Sequence, residues 1–304
     1  MTSSQERTGA DAGVRDLYST WSRRYYEDYY GPDAAYPPVH RDLLIGVLRD
    51  SGARTVLDAG CGPASFLRHA AEKGFDVYGF DLVPEMVEEA RRVLAEYGVP
   101  ADHVWQGSVL SEDAFRRRDQ KGGGVDAAVC VGVLPHIPDG SEDDVIRSLR
   151  SAVLPGGLVA LEGRNQLFAL FTLNRYTYEF FRDELVRPDR ISSADASAAV
   201  SGALDDLRER FRMDLPPVRR GRAGEPGYDE VLSRTHNPLL LREQFASHGF
   251  EDVRLLFYHY HALPPMLEPA MPELFRDLSL SMEEPGDWRG HFMASAFILV
   301  GRRA

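Results

Sequence analysis

The chain has 304 residues, of which 43% are hydrophobic, enough for one large α/β domain with insertions or for two modest domains. A net charge of −12 disfavours a nucleic-acid partner, which usually demands a basic patch. Two cysteines, Cys61 and Cys130, make no disulfide framework and favour a reducing interior. The polar start lacks the apolar segment of a signal peptide, and no apolar run is long enough to span a membrane. We therefore expect a soluble, cytoplasmic protein without a membrane partner.

The first 52 residues are expected to form a polar tail followed by aromatic-rich helices. Residues 1–13 are small and polar, as in disordered termini. Aromatic and apolar residues then recur at helical spacing, at Leu17, Tyr18, Trp21 and Tyr25. Pro37 and Pro38 open a second predicted helix at 39–49, and Ser51 with Gly52 ends it.

From Arg54 onward the pattern alternates between strand and helix, which is typical of a parallel α/β sheet. The fourth strand is apolar on both faces, as a central strand should be. The first five predicted strands are 55–58, 76–80, 103–106, 126–131 and 158–162. The helices predicted between them are 64–73, 84–97 and 141–153, and Pro155-Gly156-Gly157 is expected to turn the chain into strand five.

The alternation breaks after strand five. An aromatic-rich helical stretch, a second helical piece and a Pro/Gly/Arg-rich loop at 216–227 fill residues 164–236. Asn237 and Pro238 are a strong N-cap and N1 pair, and they reopen the pattern with a helix, strand six at 252–260 and strand seven at 292–300. A second insertion is expected at 263–289. The predicted domains are thus 1–52, 53–163, 164–236 and 237–304.

The most informative stretch is 56–64, Val-Leu-Asp-Ala-Gly-Cys-Gly-Pro-Ala, which predicts a strand, a tight turn and a helix. Its glycines let the backbone approach a ligand, and the free N–H groups of the helix that follows suit a nucleotide-like molecule. A dinucleotide site would need a third glycine, and Pro63 stands where its helix should begin. A P-loop would need Gly-Lys-Ser/Thr, which does not follow.

This stretch resembles motif I of the class I S-adenosylmethionine-dependent methyltransferases. Three further features follow in the family's order: an acid at the end of strand two (77–86), the end of strand three (105–109), and strand four with the turn before strand five (126–136 and 154–157). The resemblance covers roughly 54–163, and 18–30 also resembles the N-terminal helix of small-molecule members. It implies a Rossmann-like, seven-stranded, mainly parallel sheet with helices on both faces, a helical cap or lid after strand five, and S-adenosylmethionine as cofactor.

The resemblance also implies which residues hold that cofactor. Asp81 would accept the ribose hydroxyls, Asp58 would lie beside the methionine amine, and Ser108 stands where the family often has an acid. The alternative for both aspartates is a helix N-cap. The full implied set is Tyr18, Tyr25, Asp58, Gly60, Gly62, Asp81, Leu82, Met86, Ser108, Val109 and Val131.

Methyl transfer needs the acceptor positioned and, for some acceptors, deprotonated. Candidate catalytic groups at the strand ends are Glu162, His259, His261 and His136. Strand alternation predicts that His259 and His261 face the same side. The alternative for each histidine is a structural hydrogen bond or a surface site, and related methyltransferases often use the histidine at the position of His136 for local structure.

The aromatic stretch 167–181 has two interpretations. In the first, it packs the insertion onto the sheet or forms a dimer seam; in the second, it covers the acceptor as a lid. Under the lid hypothesis the candidate substrate residues are Asn165, Asn174, Arg175, Tyr176, Tyr178 and His236. No residues show metal-ligand spacing, so we expect no metal.

The sequence therefore predicts a methyltransferase acting on an O, N or C atom of a small-molecule metabolite of natural-product, sugar or amino-acid type. A homodimer is left open, and no nucleic-acid partner is expected. The alternatives are a protein that binds S-adenosylmethionine without catalysis, as a regulator or scaffold, and a NAD-dependent oxidoreductase.

Overall fold

The computed structural model describes residues 12–15, 18, 26, 30, 37–118, 123–213 and 232–304. Three residues of the predicted N-terminal aromatic helix, Leu17, Trp21 and Tyr25, lie outside the described residues, as does the predicted loop at 216–227. Among the described helices, none combines the length and the apolar character that crossing a bilayer requires.

Seven strands form one sheet. Their bounds are β1 Thr55–Ala59, β2 Asp76–Asp81, β3 Val104–Gln106, β4 Val125–Cys130, β5 Val153–Arg164, β6 Phe250–Tyr260 and β7 Ala294–Arg303. The strand order is β3-β2-β1-β4-β5-β7-β6. β1 pairs in parallel with β2 and β4, β2 with β3, and β4 with β5. The predicted seven-stranded, mainly parallel, Rossmann-like sheet is confirmed.

Helices connect and follow the strands. They are α1 Val39–Ser51, α2 Leu67–Glu72, α3 Pro84–Ala95, α4 Glu142–Ala152, α5 Ala169–Thr172, α6 Arg175–Phe180, α7 Ala194–Arg208, α8 Pro238–Ser247, α9 Pro272–Ser281 and α10 Gly290–Met293. The N-cap predicted at Asn237 is present, because its side chain accepts hydrogen bonds from the N–H groups of Leu239 and Leu240. The helical cap predicted after strand five stays a prediction.

β5 begins earlier than the sequence indicated. Val153 already pairs with Val125, and the next pair joins Leu158 to Ala127, so 154–157 form a bulge inside the strand instead of a turn before it. Glycine is needed there, since a Cβ on Gly157 would lie 2.9 Å from the carbonyl oxygen of Asp126.

β7 begins two residues later than predicted. The carbonyl of Arg289 accepts hydrogen bonds from the N–H groups of Phe292 and Met293, at 3.0 and 2.9 Å, which closes a helical turn over residues assigned to the strand. The extended run therefore starts at Ala294.

The chain divides into two compact units, which differ from the predicted domain bounds. The first comprises Met1–Arg164, Arg219–Leu256 and Phe297–Ala304, and the second comprises Asn165–Val218 and Phe257–Ala296. The core of the first unit lies on the central strands, where Leu57, Phe80 and Val129 are fully buried. In the second unit Phe257, Tyr260 and Phe275 are buried. The predicted division at 53–163 and 164–236 stays a prediction.

Candidate functional site

A pocket lies where β1, β2, β3 and β4 end, at their carboxyl edges. It encloses about 700 Å³ of space, including its open mouth. Open parallel sheets bind ligands at this edge. The described residues that line it are Val14, Tyr18, Gly60, Gly62, Asp81, Leu82, Val83, Met86, Gly107, Ser108, Val109, Val131, Gly132, Val133, His136 and Ile137.

Apart from Asp58 and Tyr25, every residue of the predicted cofactor set lines this pocket. Tyr25 is outside the described residues, and Asp58 lies in β1 behind the glycine turn. The sequence missed a further group of lining residues, which are Val14, Val83, Gly107, Gly132, Val133 and Ile137. Most of these directly follow a strand end or adjoin a predicted site residue, and that proximity was the only signal available.

The glycine turn is tied to the neighbouring strand. The N–H groups of Gly60 and Cys61 both donate to the carbonyl of Phe80, at 2.8 and 3.0 Å. Gly60 has φ of 88°, a left-handed conformation that strains any other residue, and a Cβ there would overlap the side chain of Val133. The turn thus needs glycine both for its backbone angle and for its contact with the loop after β4.

Asp81, at the end of β2, joins two walls of the pocket. Its carboxylate accepts one hydrogen bond from the N–H of Gly62 at 2.8 Å and one from the N–H of Val83 at 2.9 Å. A carboxylate has about four lone-pair sites, so it keeps capacity for a ligand's hydroxyl groups. Burial raises the pKa of Asp81, against the opposite effect of these backbone hydrogen bonds.

Asp58 is buried, with 4% of its surface exposed. Burial, followed by the charge of Asp81, raises the pKa of Asp58 to about 8. Two nearby acids that are costly to ionise together favour a positively charged ligand, because a cation stabilises their charged forms.

Glu162, near the end of β5, is also buried and does not belong to the described lining. Its carboxylate accepts a hydrogen bond from the N–H of Gly132, which does line the pocket. Glu162 therefore holds the loop after β4 without belonging to the described lining of the pocket.

His136 lines the pocket from the short 3-10 turn Leu134–His136. Its Nδ1 is 2.7 Å from the carbonyl oxygen of Leu232, and its Nε2 is 3.1 Å from the hydroxyl of Tyr18. Burial lowers the pKa of His136 to about 4, so the ring is neutral at pH 7.

His259 and His261 lie in the second unit. Their rings stack with centroids 5.4 Å apart, but His259 has a positive φ of 60° and His261 follows the end of β6, so regular strand alternation does not account for this pair. The ring centroid of Phe168 lies 4.7 Å from that of His261. Burial lowers the pKa values of His259 and His261 to about 4 and about 3. Their catalytic roles stay predictions.

The predicted substrate residues have structural partners. The side-chain amide of Asn165 donates to three carbonyls, those of Gly290, His291 and Ala294. The carbonyl oxygen of the Asn174 side chain accepts from the N–H of Tyr176, which caps α6.

The remaining predicted substrate residues are divided between the units. The Tyr178 hydroxyl donates to Asp205 at 3.2 Å, Arg175 pairs with Glu179 at 3.1 Å, and Tyr176 is 44% exposed. His236 is buried in the first unit, with Nε2 3.4 Å from a carboxylate oxygen of Glu142. Their substrate roles stay predictions.

No group of three or more His, Cys, Asp or Glu side chains within the described ranges could hold a metal ion. Both cysteines are buried, and burial raises the pKa of each thiol. Cys61 and Cys130 thus lack the thiolate character of a nucleophile.

Comparisons with known proteins agree with this geometry. A family model described as Methyltransferase domain matches residues 56–157. A Ubiquinone biosynthesis O-methyltransferase of Xanthomonas oryzae pv. oryzae (strain PXO99A) is 33% identical over 212 residues, which are 67% of this chain and 84% of that protein. The protein of the same name from Xanthomonas axonopodis pv. citri (strain 306) is 34% identical over 161 residues, 52% of this chain and 63% of that protein.

The chain is also similar to a relative whose name gives a different methyl acceptor, and to solved structures. A Glycine N-methyltransferase of Rattus norvegicus is 29% identical over 174 residues, 54% of this chain and 58% of that protein. The chain thus spans somewhat less than two thirds of the length of several curated relatives it matches. The crystal structure of magnesium protoporphyrin IX methyltransferase from Synechocystis PCC 6803 with bound SAH has a TM-score of 0.53 and 18% identity, covering 97% of this chain and 100% of that one, and it shows the shared fold.

The glycine turn, the acid at the end of β2 and the strand order occur together in a chain that is 33% identical to a methyltransferase over most of that protein's length. The chain therefore belongs to the class I S-adenosylmethionine-dependent methyltransferase family, whose cofactor is S-adenosylmethionine.

Proposed function

We propose that the chain binds S-adenosylmethionine in the pocket at the ends of β1–β4 and transfers its methyl group to a small-molecule acceptor. The observation that carries this proposal is the position of Asp81, whose carboxylate lines the pocket beside Gly62. There it would accept the ribose hydroxyls while the glycine turn admits the methionine portion.

The charges of the site support a cationic donor. Asp58 and Asp81 are buried acids whose pKa values are both raised, and a ligand carrying a sulfonium and an ammonium group would relieve that cost. A dinucleotide, with its negative pyrophosphate, would increase it. The site thus favours S-adenosylmethionine over NAD.

We propose an oxygen atom as the acceptor, because His136 presents a neutral imidazole to the pocket. When bound, S-adenosylmethionine would supply a methyl group on a sulfonium, and its carbon–sulfur bond would break as the acceptor oxygen bonds to the methyl carbon, with S-adenosylhomocysteine as the leaving group. Nε2 of His136 would take a proton from the Tyr18 hydroxyl, 3.1 Å away, and that hydroxyl would take the proton of the acceptor. The positive charge lost by sulfur then reappears on the imidazole, so the site's net charge is conserved through the step. Two of the relatives described above are named as O-methyltransferases.

We propose a discrete metabolite of natural-product, sugar or amino-acid type, handled in the cytoplasm, since a net charge of −12 does not suit a nucleic-acid polymer. A phenol or sugar hydroxyl matches the oxygen chemistry, and a homodimer is compatible with it.

The test measures binding and product separately. Titration calorimetry with S-adenosylmethionine and with NADH establishes the cofactor, and mass spectrometry then follows S-adenosylhomocysteine and methylated product with separate pools of hydroxyl and amine acceptors. We expect binding of S-adenosylmethionine alone and product with the hydroxyl pool. Product only with amines would refute the oxygen acceptor, and binding with no product from either pool would favour the non-catalytic regulator.

A further inference from the structure

A short segment at residues 232–236, called the strap here, lies against the turn that carries His136. The N–H of Arg234 donates to the carbonyl of Pro135 at 2.8 Å, and the N–H of His236 donates to the carbonyl of Arg164 at 2.7 Å. Arg164 also donates through its guanidinium to the hydroxyl of Ser233. The strap is thus fixed to the first unit by backbone and side-chain bonds.

The side chain of Arg234 provides the firmest of these attachments. Its guanidinium donates to a carboxylate oxygen of Glu142 at 2.6 Å, to the carbonyl of Ile137 at 3.3 Å, and to the carboxylate of Asp139. Glu142 is 10% exposed and Arg234 is 22% exposed at the side chain, so this pair is shielded from water far more than a surface ion pair.

Glu142 remains charged at pH 7. Burial acts to raise its pKa, but the contact with His236, a backbone hydrogen bond, and the charge and hydrogen bond of Arg234 outweigh burial and lower the pKa of Glu142 to about 2. The attachment therefore persists across the physiological range. Losing either partner would leave the other with weaker charge compensation in this shielded site, because, among the described residues, only Asp139 would then face Arg234 and only His236 would face Glu142.

The strap contacts His136 through the carbonyl of Leu232. A carbonyl oxygen only accepts hydrogen bonds, so Nδ1 of His136 must carry the proton at this 2.7 Å contact. Because the ring is neutral, Nε2 carries none and accepts the hydrogen bond from the Tyr18 hydroxyl. The strap thereby decides which ring nitrogen presents a lone pair.

We propose that Arg234 is a positioning residue that fixes the Nδ1–H tautomer of His136 through the strap, so that the lone pair of Nε2 faces the Tyr18 hydroxyl and can take a proton in the pocket. Its part in methyl transfer rests on the proposed function above; its control of the tautomer does not. Two titratable groups in the described residues act on His136. Tyr18 hydrogen-bonds its Nε2, and the positive charge of Arg164 disfavours the imidazolium form.

The first test observes His136 without any cofactor or acceptor. Long-range ¹H–¹⁵N spectra of the histidine-labelled full chain, assigned by comparison with His136→Gln, report both the tautomer and the titration. We expect the wild type to keep Nδ1–H and no charge between pH 5 and pH 9. In Arg234→Gln we expect a mixture of tautomers and a pKa that moves upward toward the ordinary histidine value of about 6.5.

Controls separate positioning from general stability. Arg147 lies on α4, is 62% exposed and pairs with Asp144, so Arg147→Gln removes a comparable charge and should leave the His136 spectrum unchanged. Arg234→Lys keeps the charge but not the forked geometry, and should give a spectrum between wild type and Arg234→Gln. If Arg234→Gln does not fold, Arg234→Lys and Glu142→Gln carry the same test. An unaltered tautomer and titration in the folded variants would overturn the proposal.

The second test measures turnover. Arg234→Gln should lower kcat about tenfold or more, and shift its pH profile, while the Kd for S-adenosylmethionine stays within about twofold. Should the spectra change as expected while the wild type forms no methylated product, the proposed function fails and the positioning role stands. Spectral change with unchanged kcat in an active enzyme would exclude Arg234 from catalysis.

Discussion

The carboxylate of Asp81 accepts a hydrogen bond of 2.8 Å from the N–H of Gly62, so the acid that ends β2 holds the glycine turn that follows β1. A side chain that supports the turn and faces the pocket would, under the proposed function, couple cofactor binding to local structure. Its second hydrogen bond, from the N–H of Val83, extends that coupling to the start of α3.

Asp81→Asn should weaken binding of S-adenosylmethionine. The amide keeps one acceptor oxygen for the backbone but loses the charge that strengthens bonds to the ribose hydroxyls, a loss of about 1.5–3 kcal/mol, or roughly 10- to 150-fold in Kd. Calorimetric titration measures it. Asp102→Asn, at an exposed aspartate just before β3, is the matched control and should bind normally. An unchanged affinity in Asp81→Asn would remove Asp81 from the ribose role.

Asp58 predicts a pH dependence of stability. Its pKa is about 8 in the folded chain against an ordinary aspartate pKa of 3.8, so between these limits the folded state binds the extra proton. The free energy of unfolding should therefore decrease as the pH rises from about 4 to about 8. Urea unfolding at pH 6 and pH 8 measures this difference. Asp58→Asn should show a smaller decrease than the wild type, and equal slopes would contradict the raised pKa.

The same aspartate predicts proton release on cofactor binding. A cationic amine beside Asp58 favours its ionised form, so S-adenosylmethionine should bind more tightly at pH 8 than at pH 6. Calorimetry in buffers of different ionisation enthalpy counts the released protons. Because the ligand titrates equally in both experiments, the difference between wild type and Asp58→Asn isolates the protein's contribution. No difference would place Asp58 away from the amine.

Gly60→Ala should destabilise the fold and close the turn to ligand. The new Cβ overlaps the side chain of Val133, and the alanine must adopt a φ of 88°. Together these two effects should lower the free energy of unfolding by about 2–5 kcal/mol. Gly62→Ala meets no atom within 4 Å and carries only the strain of φ of 52°, about 1–2 kcal/mol. Urea unfolding of both variants gives the comparison. Adding Val133→Ala should recover part of the loss in Gly60→Ala; if it recovers none, the overlap is not the cause.

Two substitutions at Glu162 separate the effect of its hydrogen-bonding oxygen from the effect of its charge. Glu162→Ala removes the hydrogen bond between the N–H of Gly132 and a charged carboxylate and should lower the free energy of unfolding by about 1.5–3 kcal/mol. Glu162→Gln keeps an acceptor oxygen, so it should be closer to the wild type in stability but slower in turnover, with cofactor affinity less affected. Unfolding curves and initial rates measure these quantities. Wild-type turnover in Glu162→Gln would limit Glu162 to holding the loop.

The local parts of the site could be predicted from short stretches of sequence. Residues 56–64 encode a strand, a turn and a helix start through apolar residues and positive-φ glycines, which act over a few positions. The predicted start of β5 was wrong because pairing with another strand decided it, and the local sequence does not encode that pairing. Pro155-Gly156-Gly157 has turn composition, yet the pairing of Val153 with Val125 on β4 keeps this segment within the strand.

The sequence by itself determined the alternating strands and helices, the glycine turn after β1 and the acid at the end of β2, because each depends on periodicity or backbone angles within about ten residues. Only the tertiary structure decided how His136 is protonated and what holds it. Leu232 is 96 positions from His136, and Arg234 is 92 from Glu142. Hydrogen bonds and buried charges act over a few ångströms of space, whatever the separation along the chain, so folding had to bring these residues together before their chemistry could be read.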